Sequence, residues 1–444
     1  MAKPIVAVVG RPNVGKSTFF NKMAGRRVSI VDDMPGVTRD RIYVDVEWCG
    51  HAFTLVDTGG MELKSEDKMW QHIKRQAELA IDIADVIIFF TDGKAGVTPG
   101  DHDIANLLRR TQKPIVLAVN KIDGRDSSAM YDFYELNIGD PVAISAEQSL
   151  GLGDLLDEVV RYMEPAESST AEDECVKIAV VGKPNAGKSS LVNRILGYER
   201  VIVSDIPGTT RDAIDTPFMR DGKKYMLIDT AGIRKKSRVD EDVEYYSVVR
   251  SISAIRRADV ALIIVDAAEG LTEQDVKIAG LVHESGKPGV IVMNKWDIVE
   301  KDTGTMNRIT NGLKEELKFM DYFKVAYISA LTGQRVKNIL SLVDEVYEHT
   351  SLRVATGLLN DVIGDAITVN PPPTHNGKRL KIFYVTETGI KPPTFVLFVN
   401  DPKLMHFSYK RYLENCIRKS FDFSGTPIKI AVRQRGEDGV VNTK

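Results

Sequence analysis

The sequence has few cysteines and histidines, and neither type forms a cluster. The three cysteines, Cys49, Cys175 and Cys416, lie far apart, and the seven histidines are equally scattered. Zinc sites and disulfide frameworks need these residues at short, repeated spacings. The sequence therefore argues against a zinc site and favours a reducing compartment.

Long apolar runs are also missing. No stretch approaches the ~18 apolar residues that a membrane-spanning helix requires. Met1-Ala2-Lys3-Pro4 leads directly into an apolar strand pattern, without the core of a signal peptide. We therefore expect a cytoplasmic protein.

The net charge of −3 is small, but it hides an asymmetry. Residues 351–444 carry 14 lysines and arginines against 8 acidic residues, whereas the first 350 residues carry 45 against 54. A basic C-terminal part on an acidic body suggests a polyanionic partner for that part. An excess this small is also typical of an ordinary solvated face, so charge alone does not decide between these interpretations.

The most informative feature that is present is a glycine-rich stretch that occurs twice. Each copy follows an apolar run, at residues 5–9 or 178–181, and opens an amphipathic helical pattern. Such a loop points backbone N–H groups at a phosphate, and the following helix directs its positive end to the same place. This is the context of a P-loop. The copies are Gly10-Arg11-Pro12-Asn13-Val14-Gly15-Lys16-Ser17 and Gly182-Lys183-Pro184-Asn185-Ala186-Gly187-Lys188-Ser189.

The P-loop pattern assigns roles to its last two residues. The lysine reaches the β and γ phosphates, and the serine hydroxyl ligates Mg²⁺. We therefore assign Lys16 and Lys188 to the phosphates, and Ser17 and Ser189 to the metal. A simple glycine turn would explain one match, but not two in the same context.

Further motifs follow each P-loop in the same order, which indicates that a whole domain is duplicated. The offset between copies is 172 residues at first; after Asp297 it grows from 174 to 184, so the second copy gains ten residues around residues 302–316. A period this long excludes a solenoid of short repeats. The motifs are Pro35-Gly36-Val37-Thr38-Arg39-Asp40 and Pro207-Gly208-Thr209-Thr210-Arg211-Asp212, Asp57-Thr58-Gly59-Gly60 and Asp229-Thr230-Ala231-Gly232, Asn120-Lys121-Ile122-Asp123 and Asn294-Lys295-Trp296-Asp297, and Ser145-Ala146 and Ser329-Ala330.

Short apolar runs alternate with helical patterns in both copies. The first copy has runs at residues 5–9, 53–56, 86–90, 115–119 and 142–144, and the second has matching runs from Ile178, Met226, Val260, Val290 and Val325. That alternation predicts an α/β fold, a mostly parallel sheet covered by helices on both faces. Residues 41–48 alternate polar and apolar, and Asp221-Gly222 suits a tight hairpin turn. Each domain should therefore carry one antiparallel edge strand.

The remaining segments predict the domain boundaries. Residues 164–174 contain five acids, no base and no apolar periodicity, as expected of a flexible linker. Residues 351–444 read helix, strand, strand, helix, strand, which predicts a small α+β domain. We expect one P-loop domain at 1–163, the linker at 164–174, a second P-loop domain at 175–350 and the α+β domain at 351–444.

The Asn-Lys-x-Asp motif, which occurs once in each copy, determines which nucleotide base is bound. Asp123 and Asp297 follow buried strands, at the sheet edge where nucleotides bind. Each carboxylate can accept two N–H bonds from guanine, whereas adenine offers no such pair. A site built on such hydrogen bonds can reject the wrong base by about 10⁴ to 10⁵. Ser145-Ala146 and Ser329-Ala330 can add a backbone N–H for the guanine oxygen, so the motifs predict GTP.

The motifs that contain Asp57 and Thr38, and their copies in the second domain, would supply the remaining Mg²⁺ ligands. Asp57 and Asp229 end strands and should reach Mg²⁺ through water. Thr38 and Thr210 can ligate the metal only when a γ phosphate is present, so hydrolysis would release their loops. Thr209 is a neighbouring candidate, but the shared offset favours Thr210.

The motif order, the duplication and the C-terminal α+β domain resemble the Der (EngA) family of bacterial tandem GTPases, in which two TrmE-Era-like G domains precede a KH-like domain. The resemblance covers essentially the whole chain. It implies a GTP-hydrolysing switch in maturation of the large (50S) ribosomal subunit. The partners would be that subunit and its rRNA, with no membrane or DNA contact, and we expect a monomer.

The motifs and the resemblance together give the candidate residues. Asn13, Lys16, Thr38, Asn185, Lys188 and Thr210 are the catalytic candidates. The GTP-binding candidates are Gly10, Arg11, Pro12, Asn13, Val14, Gly15, Lys16, Ser17, Thr18, Asp57, Thr58, Gly59, Gly60, Met61, Asn120, Lys121, Ile122, Asp123, Ser145, Ala146, Gly182, Lys183, Pro184, Asn185, Ala186, Gly187, Lys188, Ser189, Ser190, Asp229, Thr230, Ala231, Gly232, Ile233, Asn294, Lys295, Trp296, Asp297, Ser329 and Ala330.

One departure from the common GTPase pattern bears on mechanism. Met61 and Ile233 stand where many GTPases have a glutamine that orients the attacking water. An apolar side chain cannot hold that water. In GTPases that this chain resembles, the P-loop asparagine, here Asn13 or Asn185, helps to hold a K⁺ that replaces an arginine finger. We therefore hypothesise slow, K⁺-stimulated hydrolysis at both sites.

A second departure concerns the C-terminal domain. A KH module clamps nucleic acid with a GxxG loop, but Gly389-Ile390-Lys391-Pro392 lacks the second glycine. RNA contact would then fall to basic residues, either an ordinary charged face or a contact surface. The candidates are Lys410, Arg411, Arg418, Lys419, Arg433 and Arg435, and the basic stretch Arg234-Lys235-Lys236-Ser237-Arg238 that follows Ile233.

The sequence leaves a second function open and argues against a third. The chain could be an RNA-binding assembly factor whose nucleotide sites are mainly structural. A GTPase of RNA modification would need a separate catalytic domain, and the sequence supplies no nucleophile or metal cluster for one.

Overall fold

The computed structural model describes residues 3–25, 43–57, 66–123, 128–163, 175–197, 202–203, 215–230, 243–375 and 378–435. The chain divides into two compact units, Met1–Glu172 and Asp173–Lys444. Each unit has its own cores and is described by itself. Within these ranges, no helix is both long and apolar enough to cross a bilayer.

The first unit is an α/β domain. Its strands are β1 (Ile5–Gly10), β2 (Tyr43–Trp48), β3 (His51–Asp57), β4 (Val86–Asp92), β5 (Ile115–Asn120) and β6 (Pro141–Ala143), and its helices are α1 (Lys16–Gly25), α2 (Glu66–Ile83), α3 (Pro99–Leu108) and α4 (Leu152–Arg161). The strand order is β2-β3-β1-β4-β5-β6. All pairs are parallel except β2 with β3, the predicted antiparallel edge.

Both faces of this sheet are buried, which explains the unbroken apolar runs. Val8 of β1 packs in one core with Phe19 of α1, whereas the next residue, Val9, packs in the opposite core with Ile104 of α3. Successive side chains of a strand point to opposite faces. A central strand covered on both sides must therefore be apolar at every position.

The second unit begins with a repeat of this plan. Its strands are β7 (Cys175–Val181), β8 (Ile202–Val203), β9 (Thr216–Arg220), β10 (Lys223–Ile228), β11 (Val260–Asp266), β12 (Gly289–Asn294) and β13 (Lys324–Tyr327), and its helices are α5 (Lys188–Leu196), α6 (Val243–Arg257), α7 (Glu273–Glu284), α8 (Thr305–Glu316) and α9 (Ile339–Thr350). The strand order is β13-β12-β11-β7-β10-β9-β8. Asp221 and Gly222 form the predicted hairpin turn with φ values of 50° and 81°, the positive values that a type I′ turn needs.

This sheet domain has one strand that was not predicted and one helix that replaces a 3₁₀ helix of the first copy. The short strand β8 pairs antiparallel with β9 and adds an edge that the sequence did not predict. The ten extra residues build helix α8, where the first copy has the 3₁₀ helix Ser128–Leu136.

The C-terminal part is an α+β domain whose main helices and strands follow the predicted order. It consists of α10 (Thr356–Val369), β14 (Thr374–His375), β15 (Lys378–Arg379), β16 (Ile382–Gly389), β17 (Thr394–Val399), α11 (Phe407–Ser420) and β18 (Lys429–Gln434). Strand β17 is central, antiparallel to β16 and parallel to β18. The small β14-β15 pair was not predicted. Helix α10 begins at Thr356, five residues inside the predicted domain boundary at 351, because α9 extends to Thr350 and a short connection follows it.

The loop around Gly425 is one of the segments through which the C-terminal domain docks on the second sheet domain. The N–H of Gly425 donates to the carbonyl of Tyr322 (2.6 Å), and the N–H of Gly289 donates to the carbonyl of Gly425 (2.9 Å). Arg418 lies over the Tyr322 ring, 4.5 Å from its centroid, and donates to the carbonyls of Phe423 and Thr426. The suggestion that Arg418 contacts RNA is therefore wrong, because its guanidinium holds this domain interface together.

His283 makes this interface sensitive to acid. Its Nδ1 lies 2.9 Å from the Tyr322 hydroxyl, and burial, with the charges of Arg418 and Lys429, lowers the pKa of His283 from 6.5 to about 4. The unfolded chain then binds the proton more tightly, so stability is lost as pH falls from 6.5 towards 4. We expect about 2 kcal/mol of this loss between pH 7.5 and pH 5. Urea unfolding of His283→Gln should lack that increment; an unchanged pH slope would contradict it.

Candidate nucleotide-binding sites

The P-loops form where β1 and β7 end. Gly10 has φ 155° and Gly182 has φ 148°. A Cβ at Gly10 would lie 2.3 Å from the carbonyl oxygen of Phe90, and one at Gly182 would lie 2.4 Å from that of Ile264. Only glycine fits at these positions, since the neighbouring strand leaves no room for a side chain. The chain can then turn directly into α1 and α5.

The two P-loop lysines adopt the same geometry. Lys16 Nζ donates to the carbonyls of Gly10 and Arg11, both at 2.6 Å. Lys188 Nζ donates to the carbonyls of Gly182 and Lys183, both at 2.7 Å. Burial lowers the pKa of each lysine from 10.5 to about 8. A desolvated ammonium held over the loop is an arrangement that a phosphate would satisfy.

Asn120 and Asn294 tie three loops together. Asn120 Nδ2 donates to the Val14 carbonyl (2.7 Å) of the P-loop, and its Oδ1 accepts from the Ala146 N–H (2.8 Å). Asn294 repeats both bonds, at 2.9 Å each, with Ala186 and Ala330. These asparagines thus fix the P-loop relative to the base motifs.

The base motifs depart from one expectation. The N–H of Ala146 and that of Ala330 are already used by the asparagines, and the N–H groups of Ser145 and Ser329 donate to the carbonyls of Leu150 and Gln334. The N–H groups assigned to the guanine oxygen are therefore engaged within the protein, because both short loops close on themselves.

The two base-motif aspartates have different surroundings. Asp123 accepts from the Ser145 hydroxyl (2.8 Å) and pairs with Lys94, which together lower the pKa of its carboxyl. The Ser329 hydroxyl lowers the pKa of Asp297. The Oδ1 atom of Asp297 is buried and has no hydrogen-bond partner in the described part of the chain. A buried acceptor of this kind fits an N–H donor from a ligand.

A second lysine in each domain, Lys121 or Lys295, is held at a positive φ (68° and 60°). Lys121 Nζ lies 2.6 Å from a carboxylate oxygen of Asp92, and Lys295 Nζ lies 2.6 Å from Asp266. Sequence analysis missed these aspartates. The signal was their place at the ends of β4 and β11, where polar residues follow buried apolar runs.

A buried carboxylate behind each P-loop was also missed. Arg11 Nε donates to Asp101 Oδ1 (2.8 Å), and the Asp101 side chain is fully buried. In the second copy Lys183 Nζ lies 2.7 Å from Glu269 and 3.8 Å from Asp275. Asp101 and Asp275 also accept from the hydroxyls of Thr98 and Thr272 in capping boxes. The Thr-x-x-Asp spacing was the available signal.

Asp101 therefore positions the loop that holds Lys16, since the carbonyl of Arg11 accepts from Lys16. Asp101→Asn keeps the Oδ1 acceptor but removes the negative charge beside the Arg11 guanidinium, whose side chain is 23% exposed, and losing such a charge-assisted hydrogen bond typically costs about 1.5 to 3 kcal/mol of stability. We expect a lower melting temperature and slower hydrolysis at the first site. Asp132→Asn, at an exposed carboxylate, is the control. A variant with the melting temperature and rate of the control would contradict this role.

The candidate metal ligands supply hard oxygen donors, as Mg²⁺ requires. Asp57 ends β3 and is 6% exposed. Its negative charge partly opposes the lowering of the Lys16 pKa by burial. Asp229 directly follows β10, and its N–H donates to Asp215 (3.0 Å). Ser17 and Ser189 lie exposed at the starts of α1 and α5. The donor types of these side chains therefore fit Mg²⁺.

Several candidates lie outside the described residues: Thr38, Thr58, Gly59, Gly60, Met61, Thr209, Thr210, Ala231, Gly232, Ile233, the linker 164–174 and the basic stretch 234–238. Asn13 and Asn185 lie in the exposed bends of the P-loops, with φ values of 63° and 62°. The hydroxyl of Thr230 lies 2.7 Å from that of Thr216.

Comparison with known proteins gives a consistent result. Residues 5–121 and 177–295 each match a family described as 50S ribosome-binding GTPase. Residues 353–433 match a family described as the C-terminal KH-domain-like part of EngA bacterial GTPase enzymes.

Individual relatives are similar over nearly their full length. The chain is 57% identical over 436 residues to GTPase Der of Alkaliphilus oremlandii, covering 98% of this chain and 99% of the relative. It is 56% identical over 440 residues to GTPase Der of Acetivibrio thermocellus, covering 99% and 100%. A crystal structure of Era in complex with MgGDPNP and part of 16S ribosomal RNA is 19% identical, covers 59% of this chain and 93% of Era, and has a TM-score of 0.31. With so low a TM-score, that likeness supports no conclusion about this chain.

Proposed function

Since the chain belongs to the Der family of GTPases and is a GTP hydrolase, we propose that it is a switch in assembly of the large ribosomal subunit. The observation that carries the proposal is the duplicated cradle, whose lysine and asparagine contacts agree between the copies within 0.2 Å. Both G domains also match a family described as 50S ribosome-binding, which supports the large subunit and its rRNA as the partner.

The proposed roles follow the contacts. Lys16 and Lys188 would exchange their carbonyl partners for the β and γ phosphates, and the P-loop N–H groups would hold the same phosphates. Asp123 and Asp297 would accept the guanine N–H groups. Ser17, Asp57 and Thr38, and their counterparts Ser189, Asp229 and Thr210, would hold Mg²⁺, which would neutralise phosphate charge when bound.

We propose slow hydrolysis that K⁺ accelerates, with Asn13 and Asn185 as ligands of that ion. Their side chains sit at the exposed bend of each P-loop, and Met61 and Ile233 cannot orient a water. GTP hydrolysis should be several-fold faster in KCl than in NaCl at equal ionic strength. Asn13→Asp should weaken the K⁺ effect at the first site. Equal rates in the two salts would contradict the proposal.

The ribosomal role is tested by sedimentation with large-subunit particles under a GTP analogue, GDP and no nucleotide. A switch should bind in one nucleotide state and leave in another. Equal binding in all three states would instead favour an RNA-binding assembly factor with structural nucleotide sites. The basic stretch 234–238 is a proposed reporter of the second site, and reversal of its four charges should change this binding.

The domain boundaries, the oligomeric state and the cellular location are also part of this proposal. We propose the division into 1–163, 164–174, 175–350 and 351–444, a monomeric state and a cytoplasmic location. Cores that fill each sheet domain separately support the division.

A further inference from the structure

The three-stranded sheet of the C-terminal domain has one face packed on its helices and an opposite face that is open around Tyr384, while Val396 on that opposite face is 4% exposed. Val385, Leu397 and Ile430 of its strands are buried in a core with Leu359 of α10 and Leu413 of α11. Strand residues alternate between faces. The neighbouring positions in register therefore point away from the helices.

A row of three side chains crosses this open face. Tyr384 of β16 is in register with Phe398 of β17, and Phe398 is in register with Arg433 of β18. The rings of Tyr384 and Phe398 stack with centroids 4.3 Å apart at an angle of 17°. Tyr384 remains 42% exposed. The stacked pair is thus open to solvent and can be extended by a further planar group.

One basic side chain, Arg433, lies in this row, and two others, Arg435 and Lys381, belong to residues near its ends in sequence. Arg433, Arg435 and Lys381 are exposed, and Arg435 lies 4.8 Å from the ring centroid of Phe383, which is 43% exposed. The row and its rim thus combine flat aromatic surface with positive charge. Phe407, a still more exposed aromatic in the same domain (69%), belongs to helix α11 and lies outside the sheet.

We propose that this open face, defined by Lys381, Phe383, Tyr384, Phe398, Arg433 and Arg435, binds single-stranded RNA. A base stacks on the exposed side of Tyr384 and continues the aromatic pair, while Arg433, Arg435 and Lys381 contact phosphates. Aromatic surface on an open sheet, together with basic groups, is how several RNA-binding folds hold unpaired bases. Charge complementarity favours a polyanion here over an apolar protein segment.

This mode does not need a GxxG loop. Gly389, which begins the incomplete tetrapeptide, ends β16, and the following turn carries Lys391, whose Nζ lies 2.7 Å from the Tyr347 hydroxyl of the second sheet domain. That turn therefore contacts α9 instead of being open to RNA. The proposal rests on the proposed ribosomal role only for its biological setting, because RNA binding is measurable without ribosomes or GTP hydrolysis.

The test uses the full chain and a fluorescein-labelled single-stranded RNA of about ten nucleotides, with fluorescence anisotropy as the readout. Tyr384→Ala should weaken binding about tenfold, the usual effect of losing one base–aromatic stack. Tyr384→Phe should bind like wild type, and so should the matched control Phe407→Ala. Arg433→Gln should lower the slope of log affinity against log salt by about 0.7.

Each result of these RNA-binding measurements either supports or overturns the proposal. If Tyr384→Ala perturbs folding, as its melting curve would reveal, the exposed Arg433→Gln carries the test alone. Wild-type affinity and salt slope in Arg433→Gln, or duplex RNA binding as tightly as the single strand, would overturn the proposal. So would loss of a protein partner by these variants with RNA affinity unchanged. GTP hydrolysis should be the same in all of them, and Lys188→Ala should keep its RNA affinity, so a failed GTPase switch and a failed RNA face give different results.

Discussion

Asp297→Asn is expected to lower the affinity of the second site for GTP by about 10³-fold and to transfer its preference to xanthosine triphosphate. The carboxylate is expected to accept two N–H bonds from guanine, and each hydrogen bond to a charged group contributes about 1.5 to 3 kcal/mol. An asparagine places an NH₂ group against a guanine donor. Xanthine instead presents a carbonyl oxygen there, which the NH₂ group can satisfy.

The surroundings of Asp297 make this site the sharper test. Its Oδ1 atom is buried without a partner, whereas Asp123 already pairs with Lys94. Asp123→Asn should therefore have a smaller effect, because Asp123 must give up its ion pair with Lys94 to bind the base, and this cost offsets part of what its carboxylate contributes to GTP affinity. The control is Asp302→Asn, which changes an exposed carboxylate five residues away.

Titration with fluorescent GTP and XTP analogues measures both affinities, with Lys16→Ala at the first site of every protein that is compared. Unchanged GTP affinity in Asp297→Asn, or equal losses in Asp297→Asn and Asp302→Asn, would mean that the carboxylate does not read the base. A loss of GTP affinity without a gain for XTP would leave its role structural.

Much of the fold could be predicted from local sequence, and strand β1 shows why. Its unbroken apolar run must be a strand covered on both faces, and Gly10 then admits only a tight turn into a helix. The same reasoning applied to β7 and Gly182. The short strand β8 could not be predicted in this way. Two residues are too few to show the alternation of a strand, and they form one only because β9 offers an open edge.

The contacts that organise the site were harder to predict because they join distant parts of the chain. Asn120 reaches the Val14 carbonyl across 106 residues, and Arg11 reaches Asp101 across 90. Motif analysis placed the asparagine near the nucleotide without giving its partners. The prediction for Arg418 failed for the same reason. In the sequence Arg418 looks like an exposed charge on a helix surface, but in the fold its guanidinium lies against the Tyr322 ring.

Lys16→Ala and Lys188→Ala should each slow hydrolysis at the altered site by about 10² to 10³-fold, the usual effect of removing one preorganised donor from a developing charge. Each Nζ is held by two loop carbonyls, so the ammonium is in place before the substrate arrives. Alanine leaves those carbonyls facing the phosphates, which adds repulsion to the lost attraction. Lys314→Ala, at an exposed position of α8, controls for loss of a surface charge.

Single-turnover hydrolysis separates the two sites, because each variant should keep the rate of its intact site. The same variants discriminate between the two functions. In a switch, an altered lysine stops the cycle on the particle, so precursors of the large subunit should accumulate in cells that carry only the variant. In an assembly factor with structural sites, the variant would still fold, since the alanine chain keeps the asparagine ties between the loops, and maturation would continue. Normal subunit levels with hydrolysis lost at both sites would therefore reject the switch.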